Sequence, residues 1–296
     1  MAGFFGLFDY TKPGPGVPKD APPKARIIVF FEILGRKFWN LIKINLLFLL
    51  FNLPAIPLML FISMFYIRQP LEDITLDIVL RFMLGTFFMC IPVITIGPAQ
   101  AGLTYLLRNY AREEHAFIWW DFRDTAKSNF KQSLLISLID AVIMILAGIT
   151  INFYMIYGRE NILFAIASGI VILAFIIFVM MHLYIYPMLV TFKLTIRQIY
   201  KNAFLFALVK FIPNLLILFL CFALVFVSFI NYFIGFVLML FLTFSLMGLI
   251  TNFYVYPILK KYMIDKVEGE NSQGREDSDK QEPDIQESGS ASESIE

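Results

Sequence analysis

Charged residues are scarce in this chain. Asp, Glu, Lys and Arg make up 16% of its 296 residues, and the mean hydropathy is +0.73. A water-soluble domain carries about 25% charged residues, so this chain has too few to cover a surface that faces water. The body of the chain is poorer still, because 11 of the 23 acidic residues lie between Asp265 and Glu296. The composition argues against a water-soluble fold and predicts an integral membrane protein.

Cysteine and histidine are also rare. Cys90 and Cys221 lie in uncharged apolar runs, where buried thiols are expected rather than the disulfide framework of a secreted domain. Two histidines, His115 and His182, are too few to build a metal site without many carboxylates. The sequence also lacks a phosphate-binding glycine loop and a nucleophile motif. We therefore predict no enzymatic activity, no cofactor or metal, and no nucleic-acid partner.

Long apolar runs are abundant. A helix needs about 20 apolar residues to cross the hydrocarbon core, and four runs with at most one charge meet this length: 44–67, 82–107, 132–157 and 161–192. A fifth run, 211–259, has 49 residues without a charge, so we divide it at Asn231-Tyr232. The pattern predicts an all-α, polytopic transmembrane helical bundle of six spans. A re-entrant segment in place of the fifth helix is the alternative.

Lys and Arg lie almost entirely on one side of this arrangement. The two terminal segments and the second-to-third and fourth-to-fifth loops carry 21 of them, and the opposite loops carry three. Because Lys and Arg near helix ends are retained in the cytoplasm, we predict that both termini are cytoplasmic. Residues 1–37 are then an N-terminal segment, 38–264 the transmembrane domain, and 265–296 an acidic tail that is too polar to fold.

Proline and glycine interrupt the second predicted span. Pro92, Gly97 and Pro98 lie within seven residues, and a proline inside a helix removes a backbone donor and kinks the chain. We predict that this helix is bent or locally unwound there.

A faint internal repeat runs through the second half of the chain. YIYPML at 184–189 is echoed by YVYPIL at 254–259, and RDTAKSNF at 123–130 by RQIYKNAF at 197–204. The echoes suit three helical hairpins stacked in one orientation. A chance match between aromatic-rich membrane segments explains them equally well.

Aromatic and basic residues alternate in WWDFRDTAKSNFK, residues 119–131, just before a predicted span. Residues 193–210 have the same character. Each segment predicts an amphipathic helix on the inner membrane surface, which either anchors the protein in lipid or contacts a partner; anchoring is the ordinary role of such residues. The candidate contact residues are Trp119, Trp120, Arg123, Lys127, Arg197 and Lys201.

Five polar residues inside the predicted spans lie about 12–17 Å from the cytoplasmic surface, at 1.5 Å per residue. They are Asn52, Gln100, Asp140, His182 and Asn252. An ionisable group in a membrane is expensive and usually faces a partner inside the bundle. Because Asp140 and His182 lie on consecutive antiparallel helices at matching depth, we predict that they face each other. The layer is either a cavity that binds a small polar ligand or moves a proton, or a set of interhelical hydrogen bonds.

Four segments are more particular than composition requires: GFFGLFDYTKPGPG at 3–16, TIGPA at 95–99, AGLTY at 101–105 and DFRDTAKSNFK at 121–131. Together they resemble the YesL family of bacterial integral membrane proteins, which carries a domain of unknown function. The resemblance runs from Phe4 to about Lys266. It implies a bacterial cell membrane and a role around carbohydrate uptake, because members tend to be encoded beside carbohydrate transporters and polysaccharide-degrading enzymes. It supplies no catalytic residue.

Two functions therefore stand side by side. The first is a non-enzymatic accessory or regulatory component of carbohydrate uptake, partnered in the lipid bilayer by a carbohydrate ABC transporter. The second is a small-solute transporter or permease with a polar site in the cytoplasmic half of the bundle. Sparse intramembrane charge favours the first, and the predicted break in the second helix favours the second. A lipid-interacting structural protein is a third reading.

Overall fold

The computed structural model describes residues 24–54, 74–157 and 161–265, and the regular structure in these residues is helical throughout. The prediction of an all-α protein is confirmed. The helices are α1 (Arg26–Phe51), α2 (Ile74–Ala111), α3 (Ile118–Ser128), α4 (Phe130–Tyr157), α5 (Ile162–Leu189), α6 (Ile196–Val209), α7 (Phe211–Ile230), α8 (Tyr232–Phe241) and α9 (Thr243–Leu259). A short π-helical turn, Lys260–Ile264, follows α9. The predicted N-terminal segment up to residue 23 and the acidic tail from residue 266 lie outside the described residues.

Three helices of the described residues are long and apolar enough to cross a membrane: Phe130–Ile151 in α4, Ile162–Leu189 in α5 and Phe211–Ser228 in α7. A fourth span is possible if α8 and α9, which meet at a bend of 56°, count as one. Apolar side chains such as Leu146, Ile170 and Phe219 are exposed along these helices, as expected of a surface that faces lipid. The helices indicate a membrane protein.

The predicted spans match these helices in part. The division at Asn231-Tyr232 is confirmed, since α7 ends at Ile230 and α8 begins at Tyr232. The Asn231 side chain caps α8 by accepting hydrogen bonds from the backbone N–H groups of Phe233 and Ile234. The alternative prediction, a re-entrant segment in place of the fifth helix, does not fit, because α7 is itself a candidate span. The helical break of this region lies between α8 and α9. The predicted span 82–107 lies within α2, and 44–67 begins in α1 and continues beyond the described residues.

Basic side chains of the described residues gather where several helix ends meet, which we call the basic end. Arg108, near the end of α2, donates a 2.7 Å hydrogen bond to the carbonyl oxygen of Val190, which follows α5. Arg112 lies over the ring of Tyr256 in α9. These contacts place the carboxyl ends of α2, α5 and α9 together, as expected of helices that run in the same direction.

The buried core consists of two clusters near this end. One joins α5, α6 and α9 through residues that include Tyr184, Ile199 and Val255. The other joins α1, α2 and α3 through residues that include Leu41 and Phe122. Both short helices, α3 and α6, therefore hold one face against the bundle, although neither is long enough to cross a membrane.

The order of elements occurs twice in the second half of the chain. A short amphipathic helix is followed by a span and by a returning helix that ends on Tyr-x-Tyr-Pro: first α3, α4 and α5, then α6, α7 and the α8–α9 pair. The faint sequence echoes thus fall on corresponding elements. Part of the second copy departs from the first, because its returning helix is interrupted at Leu242.

α2 is helical through Pro92, Gly97 and Pro98, so the predicted local unwinding is wrong, while the alternative of a bend stays a prediction. Gly97 has a packing role instead. A Cβ atom at this position would collide with the Ser137 hydroxyl and the backbone of Ser133 in α4. Small residues let helix backbones approach closely in membranes, so Gly97 marks the place where α2 and α4 meet.

The real interruption, between α8 and α9, is braced by Asn45 of α1. Its side-chain amide donates to the carbonyl oxygens of Met239 and Leu240, at 2.9 and 2.8 Å. Its side-chain oxygen accepts from the backbone N–H of Ser245, at 3.0 Å. A broken helix leaves backbone groups that find no water in an apolar bundle, and the fully buried Asn45 supplies partners on both sides of the break.

The Gly97 contact predicts a position-specific loss of stability. Gly97→Ala should lower the free energy of unfolding by about 1–3 kcal/mol, because the added methyl forces α2 away from α4. The matched control is Gly148→Ala in α4, where nothing lies within 4 Å of the added Cβ; it should be neutral or stabilise slightly through helix propensity. Thermal unfolding of both variants in mild detergent tests this, and equal behaviour of the two would contradict it.

The brace predicts a graded series at position 45. Asn45→Leu should lower the free energy of unfolding by about 1–3 kcal/mol, because it leaves buried backbone groups at the bend without partners. Asn45→Asp should also be destabilising, since a carboxylate accepts from Ser245 but cannot donate to the two carbonyls. Asn202→Leu, at a half-buried position of α6, is the control. If Asn202→Leu destabilised the protein as much as Asn45→Leu, the brace would have no special role.

Candidate functional site

Asp140 and His182 form the centre of the candidate site. The Nε2 atom of His182 lies 3.0 Å from Oδ1 of Asp140, and the side chains are 28% and 22% exposed. The predicted pairing of these residues across α4 and α5 is confirmed. Tyr200 of α6 joins them, because its hydroxyl donates to the same Oδ1 atom at 3.2 Å. The sequence-based prediction did not include Tyr200.

A backbone carbonyl group orients the imidazole ring of His182. Its Nδ1 atom lies 3.0 Å from the carbonyl oxygen of Phe178, one helical turn earlier in α5. A carbonyl oxygen can only accept, so Nδ1 must carry the hydrogen of this bond. Nε2 is thereby directed at Asp140. The ring of Phe178 also packs edge-on against the imidazole, with ring centroids 4.7 Å apart.

A cavity of about 240 Å³ lies beside His182, between α2, α5, α7 and α9. Three of the five residues of the predicted polar layer line it: Gln100, His182 and Asn252. Thr104 and Thr251 add hydroxyl groups to a wall that is otherwise mainly apolar. The lining includes no Asp, Glu, Lys or Arg among the described residues. Such a cavity suits water or a small uncharged molecule better than an ion.

The other two members of the predicted layer lie elsewhere. Asp140 touches the cavity through His182 but is not part of its wall. Asn52 follows the end of α1, where its side-chain amide donates to the carbonyl oxygen of Phe48. Among the described residues, its side-chain oxygen is buried without a hydrogen-bond partner. The layer is thus one connected group of four residues plus a separate Asn52.

A second polar centre, absent from the sequence-based prediction, lies at Asn214 of α7. Its side-chain oxygen accepts hydrogen bonds from the hydroxyls of Tyr184 and Tyr254, at 2.6 and 2.7 Å. Its amide donates to the carbonyl oxygens of Phe206 and Ala207 in α6. Asn214 is fully buried. Its side-chain amide therefore connects α5, α6, α7 and α9.

The internal repeat in the sequence could have predicted Asn214 as a polar centre. A shift of 74 residues, which places Arg123 on Arg197, also places Asp140 on Asn214. A shift of 70 residues, which places Tyr184 on Tyr254, places His182 on Asn252. The two polar centres therefore occupy matching positions in the two copies. The first copy has an ionisable pair where the second has two amides.

The short helices carry the predicted contact residues on their outer faces. In α3, Phe122 and Ala126 are buried, whereas Trp119 and Trp120 are 48% and 58% exposed. The remaining contact residues, Arg123, Lys127, Arg197 and Lys201, are also exposed. The α6 helix begins with a capping box, in which the side chain of Thr195 and that of Gln198 each bond the other's backbone N–H.

A groove of about 640 Å³ separates the end of α3 from the start of α6. Its wall includes Asn129, Gln132 and Lys193. Gln132 of α4 bridges the two sides by donating to the carbonyl oxygen of Leu194 at 3.1 Å. The α3 and α6 surfaces therefore flank a shared depression at the basic end.

No group of three His, Cys, Asp or Glu side chains within the described part of the chain is placed to hold a metal ion. Asp140 and His182 are a pair without a third such ligand there. The chemistry available at this site is hydrogen bonding and proton transfer.

The Asn214 centre predicts unequal losses for its members. Asn214→Leu should lower the free energy of unfolding by about 1–3 kcal/mol, because it leaves two tyrosine hydroxyls and two carbonyls without their shared partner. Tyr184→Phe or Tyr254→Phe should each lose less, about 0.5–1.5 kcal/mol, since Asn214 keeps its other bonds. Tyr262→Phe, at an exposed position, is the control in detergent unfolding. A loss for Asn214→Leu no greater than for either tyrosine variant would refute the shared centre.

Comparison with known proteins identifies one family. The model of the family described as "Protein of unknown function, DUF624" matches residues 41–153, a stretch that includes Gly97, Gly102 and Asp140. No curated protein and no solved structure matches the chain. YesL-like membrane proteins belong to the same family, so the resemblance predicted from the sequence is confirmed over residues 41–153.

Proposed function

We propose that this protein is a non-enzymatic, multi-pass accessory or regulatory component of a carbohydrate uptake system. The observation that carries the proposal is the pair of amphipathic helices, α3 and α6, which expose aromatic and basic side chains at the basic end while packing their other faces on the bundle. The carbohydrate part rests on the YesL resemblance. The partner would be the permease or ATPase of a carbohydrate ABC transporter.

Partner contact accounts for features that lipid anchoring leaves unexplained. Headgroup anchoring needs Trp and basic residues at one depth, which Trp119, Trp120 and Arg123 supply. It does not need a groove between α3 and α6, nor the bond from Gln132 to Leu194 that fixes their relative position. A groove whose wall carries amide and hydroxyl side chains together with Lys193 suits an acidic, polar loop of a neighbouring protein.

The proposal includes six spans and cytoplasmic termini in the bacterial cell membrane. Two of the spans would be supplied by α1 with the residues that follow it and by α2, and the α8–α9 pair would count as one. The gathering of Arg108, Arg112, Lys210 and other basic side chains at one end supports this orientation, because such residues are retained on the cytoplasmic side.

A second candidate function, a small-solute transporter, is favoured by the cavity beside His182. Its wall of Gln100, Thr104, Thr251 and Asn252 offers hydrogen bonds to an uncharged solute. The bent α8–α9 pair forms part of the same wall through Phe244 and Gly248, and discontinuous helices often line transport sites.

Affinity purification from native membranes in mild detergent tests the accessory role. Stoichiometric recovery of a sugar-transporter permease or ATPase is expected with the native chain. Charge reversal on both helices, Lys127→Glu with Lys201→Glu, should abolish it, because the exposed faces of α3 and α6 would then repel an acidic loop. The matched control, Lys260→Glu with Lys261→Glu, changes two exposed basic residues of the π-helical turn and should retain the partner.

The other outcomes are equally informative. Equal loss in the control would show that general charge, and not the α3–α6 surface, holds the partner. Recovery of the chain alone, monodisperse and thermally stabilised by a sugar, would contradict the accessory role and support transport.

A further inference from the structure

The polar centre around Asp140 has a property that hydrogen bonding alone does not require: it is ionisable. At the matching positions of the second copy, Asn214 and Asn252 are uncharged amides, and Asn214 still ties four helices together through its hydrogen bonds. An amide is therefore sufficient for bracing in this fold. A carboxylate and an imidazole inside a bundle are more expensive than amides, so their presence in the first copy calls for a role that uses the proton.

We propose that Asp140, His182 and Tyr200 form a proton-binding site inside the bundle, and that this site exchanges its proton with water through the cavity beside His182. The proposal goes beyond the accessory role and holds whether or not a partner binds. Its ligand is the hydrogen ion, and its reaction is a reversible protonation of a hydrogen-bonded acid–base pair.

The geometry requires one shared proton. Since Nδ1 of His182 is committed to the Phe178 carbonyl, the 3.0 Å contact between Nε2 and Asp140 needs a hydrogen from one side or the other. Either an imidazolium donates to a carboxylate, or a carboxylic acid donates to a neutral imidazole. Both arrangements have zero net charge, which is the state that an apolar bundle favours.

Tyr200 contributes a third, fixed hydrogen bond. Burial, together with the nearby Asp140 carboxylate, raises the pKa of Tyr200, so its hydroxyl stays protonated at neutral pH and donates to Asp140. Because it donates to Oδ1, the atom that also faces His182, it stabilises the ionised carboxylate. Tyr200 belongs to α6, so the site connects the interior of the bundle with the helix that carries Arg197 and Lys201.

A further proton changes the charge of the site. As pH falls, hydronium in the cavity gives one proton to the pair and leaves as water; the pair becomes an imidazolium beside a neutral carboxyl, with net charge +1. Return of that proton to water restores the neutral pair. Each proton taken up is matched by one water molecule formed, and no other reactant is needed.

The cavity supplies the route. Its volume of about 240 Å³ accommodates several water molecules, and Gln100, Thr104, Thr251 and Asn252 offer the polar partners that such water needs. His182 is the member of the site that lies in its wall. Among the described residues, the titratable groups around the pair and cavity are Tyr186 of α5, Tyr200 of α6 and Cys221 of α7, and α2 and α9 contribute uncharged side chains to the wall.

The presence of two histidines in the chain makes the site directly observable. The full chain with His115→Gln is labelled in the histidine ring nitrogens and the aspartate carboxyl carbons, placed in lipid nanodiscs, and followed by NMR between about pH 5 and 8. We expect the His182 ring-nitrogen signals and the Asp140 carboxyl signal to change together over this range, because a proton added to a hydrogen-bonded pair alters the surroundings of both groups. The absence of a transition at both residues would overturn the proposal.

Variants separate the site from a structural bond. Asp140→Asn keeps a hydrogen bond to Nε2 and should move the His182 transition by about one pH unit or more. Tyr200→Phe, which removes one hydroxyl and leaves the ring, should move it less, and the exposed control Tyr262→Phe should leave it in place. If Asp140→Asn fails to fold, Tyr200→Phe carries the test. If the pH midpoint of the His182 transition were the same in both variants as in the native chain, the shared site would be refuted.

The route is tested separately by transfer of magnetisation from water to the His182 ring. Transfer is expected in the native chain and should be lost when Gln100→Leu and Asn252→Leu make the cavity wall apolar. An absence of transfer in the native chain, or its persistence in the double variant, would exclude this cavity as the route.

Discussion

A polar group inside an apolar helical bundle has to find its hydrogen-bond partner within the protein. This constraint organises the structure. Asn45 supplies hydrogen-bond partners to the backbone groups freed where α8 and α9 meet. Asn214 supplies them to two tyrosine hydroxyls and to two carbonyls of α6. The polar residues inside the bundle are few because each needs a hydrogen-bond partner within the protein. Where they occur, they determine which helices touch.

Hydropathy and charge were enough to predict the helical class, the division at Asn231 and the pairing of Asp140 with His182, since these depend on length, depth and the cost of burying charge. The interruption at Leu242 could not be predicted in the same way. It lies in an uninterrupted apolar run without a nearby proline, and it is stabilised by Asn45, a residue 200 positions away from Ser245. At Gly97 the sequence suggested a break that the structure does not have. Glycine next to proline is typical of a break, but here the missing side chain allows close helix packing.

The two copies of the repeat show how one scaffold supports two kinds of polar centre. In the second copy, Asn214 is fully buried and held by four hydrogen bonds. In the first, Asp140 and His182 are partly accessible and lie beside a cavity. An amide centre has a single charge state, whereas an acid–base pair has several. The copies have therefore diverged in chemistry while keeping the same order of short helix, span and returning helix.

The bond network around Asn45 also has a consequence for biogenesis. The chain is synthesised from its N-terminus, so α1 has been made long before α8 and α9 leave the ribosome. The bend between them finds its hydrogen-bond partners only after the chain has returned to α1, which makes this a contact of very high sequence separation. The last helices would stay incompletely packed until then. The contact between Asn45 and the bend therefore forms only after α8 and α9 have been made.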